Sequence, residues 1–371
     1  MTRSQICKMT KKFNLILALT FLINCLTIAH PFNQVAIDTQ HIDTLIKNEI
    51  TITGVGDIMM GSLFPMPGFL PPHNDPRRLI ENLIDTLRSS DITFGNLEGS
   101  FLNEGEPFKK CRDTTLCYLF RMPEKYSVVL AEAGFNVLSL ANNHFGDFGW
   151  KAAERTKKLL DSLKINYAGL TEHPFSIFKK DSIVYGFCAF SPTAGSVDLN
   201  DVPGAEAIVN MLAGKCDIVI VSFHGGAEGS EFQRVPKADE IFYGENRGNV
   251  FNFAHKMIDA GADVVFGHGP HVTRAVEVYK DRFISYSLGN FCTYGRFNIL
   301  GPNGFAPVIK LKVDRTGKFL SGNIISVYQG QDGIVRQDTL RRAIRKIREL
   351  VALDFSETEA TISADGKINY K

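Results

Sequence analysis

Five short apolar runs in this chain each end in a carboxylate, a carboxamide or an imidazole. Residues 50–56 lead into Asp57, and residues 92–95 into Asn96 and Glu98. Residues 137–141 lead into Asn142, Asn143 and His144, residues 217–223 into His224, and residues 262–267 into His268 and His271. Runs of this length, rich in Val, Ile and Phe, read as strands, and helical stretches separate them. Alternation of that kind implies parallel βαβ units. Open α/β sheets bind ligands outside the carboxyl ends of their strands. The chain is therefore constrained to an α/β fold whose polar side chains converge at one sheet edge, from rigid supports.

The pattern predicts strands over 50–56, 92–96, 136–140, 183–190, 217–223, 263–267, 283–287 and 306–313. It predicts helices over 76–89, 124–134, 150–163, 202–213, 247–260 and 338–350. Gly134 and Gly261 stand where a helix gives way to a strand, the usual place of a left-handed cap. From 283 to 330 strands follow one another without helices, so antiparallel pairing is expected there. Arg341, Arg342, Arg345, Lys346 and Arg348 form the solvated face of the last helix, and residues from about 355 read as a frayed end.

Composition excludes some classes. With a net charge of +1 and no basic stripe, nothing points to nucleic acid. The first residues read as a targeting segment: Lys8, Lys11 and Lys12 precede an apolar stretch over 13–28, short for a spanning helix. A cleaved signal peptide, a lipoprotein site at Cys25 and an uncleaved anchor over 1–29 are all open. Each puts the body outside the cytoplasm, in the cell envelope. Residues 30–48 read as an irregular lead-in, 49–335 as the main domain, and 336–371 as a helix and tail. Cys111 and Cys117 flank a polar loop that an exported protein would close as a disulfide, with two free thiols as the alternative.

Taken singly, the strand-end residues have ordinary readings. Asp57 could be a turn residue, Glu98 a surface carboxylate, His144 and His224 satisfied core histidines, and Asp147 a turn former. Their recurrence in the same position argues otherwise. Carboxylate, carboxamide and imidazole together suit zinc, manganese or iron. In His268-Gly269-Pro270-His271, Gly and Pro block a helix, so the two rings sit on a turn.

The motifs as a set resemble the bacterial capsule-synthesis protein CapA family: residues 56–61, Asn96-Leu97-Glu98, Asn142-Asn143-His144 with Asp147, residues 261–272, and residues 286–291. That resemblance covers about 50 to 330 and implies an α/β, four-layer α/β/β/α sandwich like that of calcineurin-like metallophosphoesterases. It implies a divalent metal, one or two ions of Mn, Zn or Fe, held by Asp57, Glu98, Asn143, His224, His268 and His271. His144, oriented by Asp147, would be the general acid or would stabilise developing charge. Asn96, Arg121, Glu231 and Asn290 would contact substrate, Glu231 being preferred to Glu228. Met59 replaces the histidine usual two residues after the first aspartate, which puts one ligand in doubt. The implied function is in synthesis of a poly-γ-glutamate or similar anionic capsule. The chain would act as an exported metal-dependent hydrolase on a phosphoester or amide bond, with capsule-synthesis membrane proteins as partners. The alternative is a non-catalytic polymer-binding or export factor on the same fold.

Overall fold

The computed structural model of the protein describes residues 48–110 and 118–371. The targeting segment, most of the lead-in, Cys111 and Cys117 lie outside the described residues. Two sheets dominate. The larger has ten strands, and its spine runs from Glu49–Met59 through Ile92–Leu97 and Val137–Ser139 to Asn166–Ala168, all parallel. On the other side of Glu49–Met59 the pairing turns antiparallel, through Phe305–Asp314 and Phe319–Gln329. The helix-free stretch is thus antiparallel in part, as its pattern predicts: Phe305–Asp314 and Phe319–Gln329 pair antiparallel, whereas Asn290–Thr293 runs parallel to Glu49–Met59. The smaller sheet has six strands, with Val264–His268 between Ile218–His224 and Arg282–Ser285, all parallel.

The two sheets pack face to face. Ile50, Ile52 and Phe94 of the larger share one buried cluster with Phe187, Ile220 and Phe266 of the smaller. Phe94 stacks on Phe266 with centroids 5.2 Å apart. Gly54 permits that approach, because a Cβ there would lie 2.5 Å from the Phe266 ring. Helices cover both outer faces. Leu79, Leu83, Leu130 and Leu160 pack on the larger sheet, and Val209, Leu212, Phe253 and Met257 on the smaller. The order is helix, sheet, sheet, helix, the four-layer sandwich. Side-chain caps fix two helix starts: Asp201 accepts from Gly204 N, and Asn249 from Asn252 N.

Two expectations are corrected. The helix expected over 76–89 is broken into Arg77–Ile80, a 3-10 turn Glu81–Leu83, and Ile84–Arg88. The backbone leaves helical geometry at Ile80, and Leu79, Ile80, Leu83 and Leu87 all reach the core. The end of the chain is not frayed: Ala360–Ile362 and Lys367–Tyr370 pair as a hairpin and extend the larger sheet beyond Phe319–Gln329. Together with Ile344 and Ile347 of the last helix, Ala360 and Ile368 lie inside the core between the sheets. Arg341, Arg345 and Arg348 are exposed, as the sequence pattern requires. Among the described residues no helix is long and apolar enough to cross a membrane.

Candidate metal centre

The parallel strands deliver their polar ends to one place. Asp57 pairs in register with Asn96 on one side and Asn290 on the other. In the smaller sheet His268 pairs with His224. Gly56 makes the first junction possible, since a Cβ there would fall 1.9 Å from the Gly289 carbonyl, whose oxygen accepts from Asp57 N at 2.9 Å. His271 follows Gly269-Pro270 with φ of 58°, in the left-handed region. Such a backbone costs about 1–3 kcal/mol and recurs where a site needs a side chain aimed.

Asp57 is the hub. His268 Nδ1 lies 3.2 Å from its Oδ1 and His271 Nδ1 2.9 Å from its Oδ2. The other ring nitrogen of His271 stands 3.5 Å from Glu98 Oε1, and His224 Nε2 stands 3.6 Å from the same oxygen. Ligand atoms of Asp57, Glu98 and His271 all fall within 4.8 Å of one another. Bonds of about 2.1 Å to one cation put neighbouring donor atoms roughly 3.0–3.4 Å apart, so the three side chains, whose atoms lie within 4.8 Å of one another, would close in around a bound ion.

The unused valences test the fit independently. Both oxygens of Glu98, both ring nitrogens of His224, Nε2 of His268 and Oδ1 of Asn143 are buried without a hydrogen-bond partner. Buried polar groups are nearly always paired, so such a concentration calls for an ion. The electrostatics of the protein groups alone are mixed. Asp57 and His224 are held in the forms a metal requires, while Glu98 and His271 are pushed toward their protonated forms, and a cation would displace those protons. Burial pushes Glu98 up, and the neighbouring negative charge of Asp57 and Glu228 adds to it against His271. Burial also works to raise Asp57, but hydrogen bonds from His268 and His271 and their charge hold it far below the ordinary carboxylate range. Burial, aided by Arg247, holds His224 well below its usual value, in the neutral form a metal requires. In His271 burial is outweighed by Glu98 and Asp57, and the ring is pushed up to about 10. The residues present fit a divalent cation.

His144 stands apart with its own support. Its Nδ1 lies 2.9 Å from Asp147 Oδ2, which also accepts from Phe120 N at 2.9 Å. The His144 ring lies 4.2 Å from that of Phe120, which stacks on Phe297, which in turn abuts His271. A row of rings thus joins the expected acid to the metal donors.

Other expected residues fall differently. Asn96 is corrected from a substrate contact to a support: it donates to Asp57 Oδ1 at 2.8 Å and accepts from Asn142 Nδ2 at 3.1 Å. Both ends of its amide are engaged inside the protein. Asn290 donates to the carbonyls of Asn303 and Asn298, and its buried Oδ1 stays unpartnered beside Asp57. Arg121 donates to the Gly105 carbonyl and lies over the Phe148 ring. Glu231 is exposed on a short turn, while Glu228 reaches inward to Asn143. Glu228, rather than Glu231, therefore stands beside the metal donors. Met59 is fully buried in the apolar cluster on the outer face of the larger sheet. Sequence reasoning missed Arg247, Glu240, Arg274 and Phe297, none of which stands in a recognisable motif.

A family described as bacterial capsule synthesis protein PGA_cap matches residues 51–294. The capsule biosynthesis protein CapA of Bacillus anthracis is 29% identical over 269 residues, covering 66% of this chain and 60% of that protein. The chain thus spans less than two thirds of that relative's length. The PGA biosynthesis protein CapA of Bacillus subtilis (strain 168) is 26% identical over 330 residues, covering 84% of this chain and 80% of that protein. Among solved structures, a hypothetical protein from Thermus thermophilus aligns over 76% of this chain and all of its own, at 16% identity and a TM-score of 0.47.

Proposed function

This chain belongs to the bacterial capsule synthesis protein family PGA_cap, and we propose that it is an exported, metal-dependent hydrolase of an anionic polymer. The bond cleaved is a phosphoester or an amide of poly-γ-glutamate or a similar chain. The observation that carries the reading is the group of buried, unpartnered donors on Glu98, His224, His268 and Asn143 around Asp57. A structural cluster would have closed these valences on one another.

Asp57, Glu98 and His271 would hold the cation, with His224, His268 and Asn143 completing its surroundings. A divalent ion bound there supplies Lewis-acid chemistry, polarising an oxygen of the substrate. The chain's own residues do the rest. Asn142 fixes Asn96, and Asn96 fixes Asp57, so the hub carboxylate cannot rotate. Asp147 holds Nδ1 of His144, leaving Nε2 as the atom that gives a proton to the leaving oxygen or nitrogen as a water molecule attacks the phosphorus or carbonyl carbon, and that water restores the proton to His144. Phe120 pins both members, by its backbone N–H on Asp147 and its ring on His144.

Purified protein loaded with Mn²⁺ or Zn²⁺ should turn over a model phosphodiester or poly-γ-glutamate. His144→Ala should keep its metal and fold and lose about 10²–10⁴ in rate. A wild type without turnover on either substrate contradicts the hydrolase. The binding-factor reading would then stand, favoured by Met59, whose burial in apolar surroundings leaves no second ligand on that strand. Export is tested by fusing residues 1–35 to a reporter active only after translocation; an inactive reporter removes it. Capsule-synthesis membrane proteins are the partners this reading expects.

A further inference from the structure

A buried cation stands beside the metal donors, and the scheme above does not use it. Arg247 is 3% exposed. Its Nη2 donates to Glu228 Oε1 at 2.7 Å, and its Nη1 lies 3.6 Å from the exposed Glu245. Its Nε is buried without a partner. Glu228 lies between Arg247 and the site. The same Oε1 that meets Arg247 is 3.5 Å from Asn143 Nδ2. Its charge is felt at Glu98 and His271, as that of Arg247 is at His224. The pair thus forms one wall of the metal centre.

The wall has a rigid foundation. Arg274 and Glu240 make a bidentate buried pair at 2.8 and 2.7 Å. Arg274 also donates to the carbonyls of Phe232 and Ala227, and Glu240 accepts from Ala227 N. That fixes the loop carrying Glu228. Backbone bonds between Glu240 and Arg247, and between Glu240 and Gly248, fix the segment carrying Arg247. The two side chains differ in freedom. Arg247 is enclosed, whereas Glu228 is 23% exposed and followed by Gly229, whose surroundings are open.

A buried guanidinium needs an anion beside it. Its planar fork is made for two oxygens, and here one carboxylate oxygen occupies it while Nε goes unused. We propose that Arg247 recognises an oxyanion of the substrate, carboxylate or phosphate, and that Glu228 is the resident competitor it displaces. The incoming oxygens lie on Arg247 and against Asn143, while Glu228 swings to solvent. The inference rests on the reading of this site as a substrate site, and it names the chemical group next to the cleaved bond.

The test is calorimetric titration of metal-free and Mn²⁺-loaded protein with inorganic phosphate and with a γ-linked glutamate oligomer. The metal-free arm isolates Arg247 from any anion bound by the ion. Glu228→Gln removes the competing charge and should tighten binding about tenfold, while Arg247→Gln should weaken it about tenfold or more. Arg247→Lys should recover part of the loss, because it restores charge without the fork. Metal content should be the same in all variants. Should Arg247→Gln not fold, Glu228→Gln alone decides. Wild-type affinity in Glu228→Gln, wild-type affinity in a folded Arg247→Gln, or no binding of either probe by the wild type overturns the proposal. A preference for phosphate marks a phosphoester substrate, and a preference for the oligomer marks a carboxylate polymer. Arg247-dependent binding without turnover leaves this inference standing and removes the hydrolase. Turnover with Arg247-independent binding does the reverse.

Discussion

The Arg274–Glu240 pair and the Asp57–Glu98–His271 cluster are both buried, both charged and both assembled from distant parts of the chain. They differ in what is left over. Every nitrogen of the Arg274 guanidinium donates to an oxygen, and both oxygens of Glu240 accept. Both oxygens of Glu98 accept nothing, and His224 has neither ring nitrogen engaged in a hydrogen bond. The first cluster is closed and holds a loop in place. The second is open, with ligand atoms of Asp57, Glu98 and His271 gathered within 4.8 Å of one another. Burial and charge alone do not separate a structural cluster from a functional one; the unfilled valences do.

Breaking the closed cluster should have the largest effect on stability. Arg274→Ala strands Glu240 without its partner, and breaking a buried pair in this way costs about 3–5 kcal/mol. Denaturant unfolding should show that loss with or without metal. A change below 1 kcal/mol, about the ceiling for a surface pair, would mean the pair is not the foundation of the loop.

The open cluster should gain what the closed one already has. Saturating Mn²⁺ or Zn²⁺, at about 100 times the dissociation constant, should stabilise the wild type by about 2.7 kcal/mol. His271→Ala should abolish that gain, while Arg274→Lys, if folded, should retain it. Equal stabilisation of wild type and His271→Ala would place the ion elsewhere.

The smallest effect sharpens the contrast most. Glu98→Gln in metal-free protein replaces a buried carboxyl group whose oxygens make no hydrogen bond and whose nearest cation is the His271 ring, 3.5 Å from Oε1. It should leave stability unchanged or raise it by about 1 kcal/mol, since function holds such residues against stability. The same substitution should weaken metal binding. A loss of several kcal/mol on metal-free unfolding would show that Glu98 belongs to a closed network after all.

What the sequence revealed follows the same division. Asp57, Glu98, His224, His268 and His271 were legible because parallel strands must end at one edge, and each sits within a few residues of a strand end. The inward-facing runs were legible because they are apolar throughout. Arg274 and Glu240 were not, since their partnership spans thirty-four positions and leaves no periodic trace. Glu231 looked better than Glu228 because a motif fixes residue types but not which side of a turn faces inward; here Arg247 and Asn143 meet Glu228. The terminal hairpin was hidden because Ala360–Ile362 and Lys367–Tyr370 are only three and four residues long, with polar residues on their outer face. Asn96 was misread because a carboxamide at a strand end looks the same whether it meets a ligand or holds the residue that does.

If the strand ends hold a metal, the ion should be found on the purified protein. Wild-type protein, His271→Ala and the surface variant Lys312→Ala would be equilibrated with Mn²⁺ or Zn²⁺, freed of excess and assayed by elemental mass spectrometry. Bound metal is expected in the wild type and in Lys312→Ala, and its loss from a folded His271→Ala. Equal metal in all three, or none in the wild type, would contradict a metal at the strand ends.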